Sequence, residues 1–356
     1  MEIGIGGLPG AGKTTLFNAL AHQHAQVGGY AGAEPNLAVV KVPDERLDKL
    51  SELFQPRKHT PAEVRFVDVA GVTRGMGQES SAAVLAHLRT VDVLLQVVAA
   101  FQTECDPVSD AEEFSLELQL ADLGQIEKRV DRLERELRLG GKGTPQERLV
   151  RERELEVLQR LRPVLERGQP IRCVELSDDE QRAIASFGFL TQKPTLVVAN
   201  LGDEQDSAPV VDRLEQTVRE QPRTAVLGVR ARLEMELGEL EPEEAAEFIE
   251  ALGVSDSQLA EVIRRAYMLS ERISFFTTGE DECRAWTIRD GSTAQEAAGA
   301  IHSDLARGFI RAEVIRWDQL LEAGSEAAAK KHGWVRQEGK AYKVTDGDVI
   351  HVLFNV

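Results

Sequence analysis

The sequence predicts an α/β protein: a mainly parallel sheet covered by helices, an inserted antiparallel helical hairpin, and a small α+β domain at the C-terminus. Three observations predict this arrangement. Short apolar runs alternate with amphipathic stretches in the first hundred residues, a long charged segment with coiled-coil spacing follows, and the pattern changes again after about Ser274. Buried strands separated by helices are typical of a parallel sheet that is covered on both faces.

The composition limits the classes to which the chain can belong. Its 356 residues are enough for two or three domains with cores of their own. A net charge of −18 argues against charge-driven binding to DNA or acidic membranes, and no apolar run approaches the roughly 20 residues of a membrane span. Three scattered cysteines, and a start without a basic-then-apolar leader, favour the cytoplasm. We expect a monomer with no DNA and no membrane partner.

Six short apolar runs are candidate strands of the main sheet. They lie at residues 3–5, 39–42, 64–69, 93–99, 195–199 and 225–229. The last two are separated from the others by a long charged segment, so the sheet is expected to form from both sides of an insertion. The first domain is therefore predicted at residues 1–117 and 173–273.

The segment between the two groups of strands is expected to form the hairpin, at residues 118–172. A 3-4-3-4 apolar spacing, the seam of a coiled coil, is formed by Leu123, Ile126, Val130, Leu133 and Leu137. A glycine-rich run at residues 140–145 ends this helix. The second helix carries Leu155, Leu158, Leu161 and Leu165. The chain returns to the sheet through a capping box that runs from Ser177 to Glu180.

The last part of the chain, residues 274–356, is expected to form the small α+β domain. An apolar strand comes first and is followed by a helix with a capping box from Thr293 to Glu296. The sequence Asp346-Gly347-Asp348 predicts the turn of a terminal β-hairpin. Phe275, Phe276 and Trp286 are expected to belong to the core of this domain.

A phosphate-binding loop is the clearest motif of the chain. Residues 7–14, GLPGAGKT, match the full P-loop pattern between a predicted strand and a predicted helix. Glycines allow backbone N–H groups to surround phosphates, Lys13 reaches the β- and γ-phosphates, and the Thr14 hydroxyl ligates Mg²⁺. The helix N-terminus that follows also favours anions. The first domain is therefore predicted to be a P-loop NTPase domain.

Two further motifs follow strands of the same sheet. Asp68, at the end of one strand, is expected to hold Mg²⁺, and Gly71 would allow a backbone N–H to approach the γ-phosphate. Asn200 and Asp203 follow a later strand with the spacing of a base-reading loop, in which the asparagine braces the site and the acid faces the base. We assign Lys13, Asp68 and Gly71 to hydrolysis, and Thr14 and Asp68 to the metal.

These motifs resemble those of the YchF family of Obg-like ATPases. Further matching strings are Glu34-Pro35-Asn36, residues 42–50, Arg284-Ala285-Trp286-Thr287, residues 308–313 and residues 346–356. The resemblance spans essentially the whole chain. It implies a C-terminal TGS domain of β-grasp type at residues 274–356, ATP use with slow hydrolysis, and association with ribosomes.

The resemblance also assigns residues to the nucleotide. The phosphate contacts it implies are Gly10, Ala11, Gly12, Lys13, Thr14 and Thr15. The base-site positions it implies are Asn200, Leu201, Asp203 and, by a looser match, Ala231.

Four positions depart from the family pattern. Gly32 stands where the family has a magnesium-binding threonine, and the glycine-rich second switch is shortened to residues 75–78. The segment after Phe101 is shorter and lacks the histidine that the family is thought to use in hydrolysis. Asp203 replaces the family's base-reading glutamate. Val72 stands where related GTPases have a glutamine, and an apolar residue at this position is usual in the family.

Three functions stay open at this point. The favoured hypothesis is a switch protein that binds ATP with Mg²⁺, hydrolyses it slowly, and binds a ribosome or ribosomal subunit. The second is a true GTPase, because an aspartate can accept two hydrogen bonds from guanine, and Asp203 stands at that position. The third is a binding adaptor whose nucleotide is never turned over.

Overall fold

The computed structural model describes residues 1–28, 36–69, 78–102, 104–138, 144–203, 206–241, 244 and 257–355. The chain forms two compact units. The first consists of Met1–Val40 and Arg65–Leu269, and the second of Lys41–Val64 and Ser270–Val356. The second unit therefore combines the C-terminal region with a segment from the first quarter of the chain. The domain limits predicted from the sequence stay predictions.

Within the described residues, the first unit is built on a seven-stranded sheet with the order β2-β3-β5-β1-β6-β7-β8. The strands are β1 (Glu2–Gly6), β2 (Ala25–Gly28), β3 (Asn36–Lys41), β5 (Glu63–Asp68), β6 (Val93–Ala100), β7 (Thr195–Leu201) and β8 (Thr224–Val229). β1 lies parallel to both β5 and β6, and β7 and β8 continue in the same direction. The six candidate strands and the mainly parallel sheet are confirmed.

Helices accompany this sheet in the described part of the first unit. They are α1 (Lys13–His24), α3 (Gln78–Thr90), α4 (Pro107–Arg138), α5 (Pro145–Glu166), α6 (Asp178–Ile184), α7 (Ala208–Val218), α8 (Ala231–Gly238) and α9 (Gln258–Leu269). The capping box from Ser177 to Glu180 begins α6, as predicted. No helix in the described ranges has an apolar stretch long enough to cross a membrane.

The helical hairpin is formed by α4 and α5. Its seam is apolar because Ile126 and Leu133 of α4 pack in one buried cluster with Leu158 and Leu161 of α5. Arg129 donates to Glu154 across the seam, with 2.7 Å between Nε and Oε1. A capping box at Thr144 begins α5. The spacing of apolar residues therefore predicted the hairpin correctly.

Among the described residues, the second unit is built on a six-stranded sheet with the order β12-β11-β13-β9-β10-β4. The strands are β4 (Lys58–Thr60), β9 (Arg272–Thr277), β10 (Glu282–Arg289), β11 (Phe309–Arg316), β12 (Arg336–Glu338) and β13 (Asp348–Phe354). The helices are α2 (Glu45–Phe54), α10 (Ala294–Ile301), α11 (Ser303–Arg307), α12 (Trp317–Ala323) and α13 (Glu326–Lys331). The predicted C-terminal α+β domain is confirmed, including the capping box at Thr293.

The segment Lys41–Val64 belongs to this second unit through a strand and a helix. β4 adds to the edge of the sheet, parallel to β10. α2 buries Leu47 and Leu50, and the Arg46 guanidinium lies over the Phe276 ring, 5.2 Å from its centroid. Arg46 also pairs with Asp346. The sequence showed no sign of this association, because the two segments are more than 200 residues apart.

The predicted terminal hairpin at Asp346-Gly347-Asp348 is wrong. β13 pairs with β11 and β9, whereas β12, the strand before it in the chain, pairs with β11. The polar groups of the turn bond to β9 instead: the backbone N–H of Ser274 donates to Asp346 at 2.8 Å, and the N–H of Gly347 donates to the Ser274 carbonyl at 2.9 Å. The turn therefore joins β13 to a strand 72 residues away.

We expect Leu50→Ala to destabilise the second unit, because Leu50 is completely buried on α2. Loss of a buried leucine side chain typically costs about 2–5 kcal/mol. Lys49→Ala is the matched control, because the Lys49 side chain on the same helix is 52% exposed. Urea unfolding, followed by fluorescence of the tryptophans, measures both variants. Equal stability of the two variants would contradict the assignment of α2 to this core.

Candidate functional site

The phosphate loop connects β1 to α1 in a backbone conformation that requires glycine. Gly10 and Gly12 have φ of +81° and +87°, a region that other residues rarely adopt. A Cβ on Gly7 would lie 2.3 Å from the carbonyl oxygen of Val97 on β6. α1 begins directly after the loop at Lys13, so the free N–H groups of its first turn and the positive end of its dipole favour an anion at this place.

The side chain of Asn200 holds the loop from the other side. Its Nδ2 donates to the carbonyl of Ala11 at 3.1 Å, and its Oδ1 accepts from the N–H of Ala231 at 3.3 Å. Asn200 lies at the end of β7 and is 6% exposed. A Cβ on Gly12 would come within 2.1 Å of this Nδ2. Asn200 therefore ties the loop to the N-terminus of α8, and it can do so only with glycine at position 12.

Among the described residues, no carboxylate lies in hydrogen-bond contact with Lys13. Its Nζ donates to the carbonyl of Leu8 at 2.8 Å, within the loop itself. Burial lowers the pKa of the Lys13 ammonium, and the negative charge of Asp68 opposes this shift. A buried cation whose charge is only partly compensated favours a negatively charged ligand such as a phosphate.

Asp68 ends β5 beside the first turn of α1. The Thr14 hydroxyl donates to Asp68 Oδ2 at 3.2 Å, whereas the buried Oδ1 has no hydrogen-bond partner in the part of the chain that the structure describes. Burial raises the pKa of the Asp68 carboxyl; hydrogen bonds from Thr14 and Asn36 and the charge of Lys13 oppose this shift. An unpartnered carboxylate oxygen beside a hydroxyl fits a hard cation such as Mg²⁺, which prefers oxygen ligands.

The positions predicted to read the base lie at the ends of β7 and β8 and directly after them. The side chain of Leu201 is buried in an apolar cluster with Leu214 and Val226, whereas Asp203 is exposed. Gln258 accepts from the N–H of Arg230 at 2.8 Å and so fixes the residue that precedes Ala231. The structure therefore leaves the carboxylate of Asp203, and not the side chain of Leu201, free to face a ligand.

The structure brings together most of the predicted site. Ala11, Gly12, Asn200 and Ala231 form one contact network, and Lys13 and Thr14 begin α1 beside Asp68. Gly10 and Thr15 belong to the same loop and helix. The predicted positions Gly71, Gly32, Val72, Glu34 and Pro35, and residues 75–77, lie outside the described residues.

Sequence reasoning missed three residues of the site. Asn36 bonds to Asp68, Leu8 holds Lys13 through its carbonyl, and Gln258 supports Arg230. Asn36 stands in the string Glu34-Pro35-Asn36, so the family resemblance was a signal for it. Gln258 had no signal, because its partner lies 28 residues away.

Two family models match the chain. A model described as a 50S ribosome-binding GTPase matches residues 2–131. The model for the C-terminal region of YchF GTPases, described as a protein of unknown function, matches residues 272–355. The two models therefore match the segment that contains the phosphate loop and the segment that contains most of the second sheet.

Curated relatives match over the full length. The ribosome-binding ATPase YchF of Bacillus subtilis is 40% identical over 371 residues, and that of Mycoplasma genitalium is 38% identical over 374; each alignment covers 100% of both chains. The solved structure of the Schizosaccharomyces pombe YchF GTPase is 30% identical, with a TM-score of 0.85 over 99% of this chain and 97% of that one. This chain therefore belongs to the YchF family.

Proposed function

We propose that this protein is a nucleotide-dependent switch that binds ATP with Mg²⁺ at the phosphate loop, hydrolyses it slowly to ADP and phosphate, and associates with ribosomes. One observation carries the nucleotide part. The Asn200 carboxamide bridges the loop and α8, at a glycine that leaves room for it. The loop is thus held in a conformation that presents backbone N–H groups to an anion.

The proposal of a ribosomal partner is supported by the relatives. The full-length relatives of Bacillus subtilis and Mycoplasma genitalium are named ribosome-binding ATPases. The chain also carries a long hairpin of α4 and α5, which offers a second surface besides the nucleotide site. We propose that the protein acts in the cytoplasm as a monomer, without a DNA or membrane partner.

The choice between ATP and GTP depends on two residues. Leu201 stands where guanine-specific proteins usually place a lysine, and its side chain is buried in the protein. Asp203 is exposed, and its charge helps, after that of Glu236, to raise the pKa of the Arg232 guanidinium. The curated relatives are named ATPases, which also favours ATP. We therefore favour ATP, and GTP is the second candidate because the exposed Asp203 can still read guanine.

The residues of the chain supply phosphate and metal contacts for hydrolysis. Lys13 would exchange the Leu8 carbonyl for the phosphates, and Thr14 and Asp68 would hold Mg²⁺, with Asn36 orienting Asp68. Bound Mg²⁺ would neutralise the charge that develops on the phosphates. Gly32 and Val72 carry no side chain that orients water by a hydrogen bond, so slow intrinsic turnover is proposed.

Lys13→Ala should abolish binding of ATP and GTP. Charge-assisted contacts to phosphate are worth about 1.5–3 kcal/mol each. Lys193→Ala is the matched control: Lys193 also has its pKa lowered by burial and donates to a carbonyl, that of Val91, at 2.6 Å. Calorimetric titration with and without Mg²⁺ measures both variants.

The same pair of variants tests the switch. ATP with Mg²⁺ should change the fraction of wild-type and Lys193→Ala protein that co-sediments with ribosomes, but should not change it for Lys13→Ala. Unchanged nucleotide affinity in Lys13→Ala would contradict the site. Sedimentation that does not depend on nucleotide in the wild type would contradict the switch.

Single-turnover hydrolysis of labelled ATP and GTP should be well below about one per second and should fall in acid. Burial raises the pKa of Asp68, so protonation competes with Mg²⁺ as the pH falls through that raised value. Asp110→Asn is the control, because burial also raises the pKa of Asp110 and no proposed phosphate or metal contact involves this residue. The hydrolysis rate of Asp110→Asn should fall in acid as it does in the wild type. Asp68→Asn should hydrolyse nucleotide slowly at every pH. A fast rate in Asp68→Asn would refute the assignment.

A further inference from the structure

β1, the strand that leads into the phosphate loop, has two glycines on the face against which α3 and α4 pack. A Cβ on Gly4 would lie 2.8 Å from Leu88 Cδ2 of α3, and a Cβ on Gly6 would lie 2.7 Å from Phe114 Cζ of α4. Both helical side chains are buried, Leu88 completely and Phe114 with 1% exposure. The Phe114 ring therefore occupies the place of a side chain on the last residue before the loop.

The loop itself contributes to the same apolar cluster. The side chain of Leu8 packs against the cluster that contains Phe114 and Leu118 of α4. The carbonyl of Leu8 holds Lys13 Nζ at 2.8 Å. Leu8 therefore connects the packing of α4 to the Lys13 ammonium, which the proposed function assigns to the phosphates. A close-packed cluster transmits a displacement of one member to the others.

α4 connects this cluster to the hairpin without interruption. Its 32 residues form one helix, about 48 Å long at 1.5 Å per residue. Phe114 and Leu118 belong to the loop cluster, whereas Ile126 and Leu133 belong to the hairpin seam. A single rigid element thus has one end against the phosphate loop and the other in the hairpin.

A buried carboxylate fixes α4 between the two clusters. Asp122, which is completely buried, accepts from Arg89 Nη1 of α3 at 2.7 Å and from the N–H of Thr191 at 2.8 Å. The N–H of Leu190 and the hydroxyl of Thr191 also donate to it. Because α3 and the turn after Phe189 are tied to the same point, α4 responds to a displacement of Phe114 by tilting about Asp122 and not by sliding along its own axis.

We propose that Phe114 is a positioning residue for the phosphate loop, and that α4 thereby couples nucleotide binding to the hairpin. This inference rests on the proposed nucleotide site. Occupation of the loop moves Leu8 and Gly6 against Phe114, and α4 carries the change to residues 126–138. By reciprocity, a partner that holds the hairpin changes nucleotide affinity by the same factor.

Two phenylalanine variants separate this role from a loss of packing. Phe114→Leu removes the contact with Gly6. Phe189→Leu makes the same change at an equally buried ring, 1% exposed, in the hairpin cluster. Gly6→Ala disturbs the same contact from β1, because the added Cβ would collide with the Phe114 ring. This variant replaces Phe114→Leu in the test if Phe114→Leu does not fold. Thermal unfolding checks the fold of each variant.

The readout is amide hydrogen exchange of residues 126–138 with and without ATP and Mg²⁺, beside calorimetric titration. Nucleotide should slow exchange of this segment about 5-fold or more in the wild type and in Phe189→Leu, and leave it unchanged in Phe114→Leu. Titration should show nucleotide affinity at least about 5-fold weaker in Phe114→Leu than in Phe189→Leu.

The outcomes are distinct. A wild type that binds nucleotide without a response in residues 126–138 overturns this inference alone. A normal response in Phe114→Leu, or an equal loss in Phe189→Leu, overturns the role of Phe114. A wild type that binds neither ATP nor GTP overturns the proposed function and this inference together.

Discussion

The contact between the Asn200 carboxamide and the backbone at Gly12 is the constraint on which the site depends. The carboxamide fits because residue 12 has no side chain, and it uses both of its ends, one on Ala11 and one on Ala231. It thereby joins the loop after β1 to the helix after β8, at the edge of the four neighbouring parallel strands β1, β6, β7 and β8. The carboxyl edge of the sheet becomes one site because this side chain spans it.

Glycine has a second role in β1, where the missing side chain leaves room for side chains of neighbouring helices and not for a ligand. Gly4 and Gly6 leave the strand bare, and Leu88 and Phe114 rest on it. The second unit shows a different solution to burial: α2, from early in the chain, supplies Leu47 and Leu50 to a unit made mostly of C-terminal residues. In both places, segments distant in sequence complete a surface that a local segment leaves open.

Much of the fold could be predicted because the signals were local. Apolar runs marked the strands, a 3-4-3-4 spacing marked the hairpin, and residues 7–14 marked the loop. The association of Lys41–Val64 with the C-terminal sheet could not be predicted, because Arg46 meets Asp346 only across 300 residues. The turn at Asp346 was misjudged for the same reason. In the site, Asn200 was predicted from its position after a strand, whereas Gln258 carries no motif.

The most direct test of the site compares alanine at two glycines of the loop by titration with ATP and Mg²⁺. Gly10 and Gly12 both have positive φ, so alanine strains the backbone at both. Only at Gly12 does a Cβ collide with Asn200; at Gly10 nothing lies within 4 Å. From this contact we expect that Gly12→Ala loses nucleotide affinity far more than Gly10→Ala, with both variants folded. Equal affinities of the two variants would contradict it.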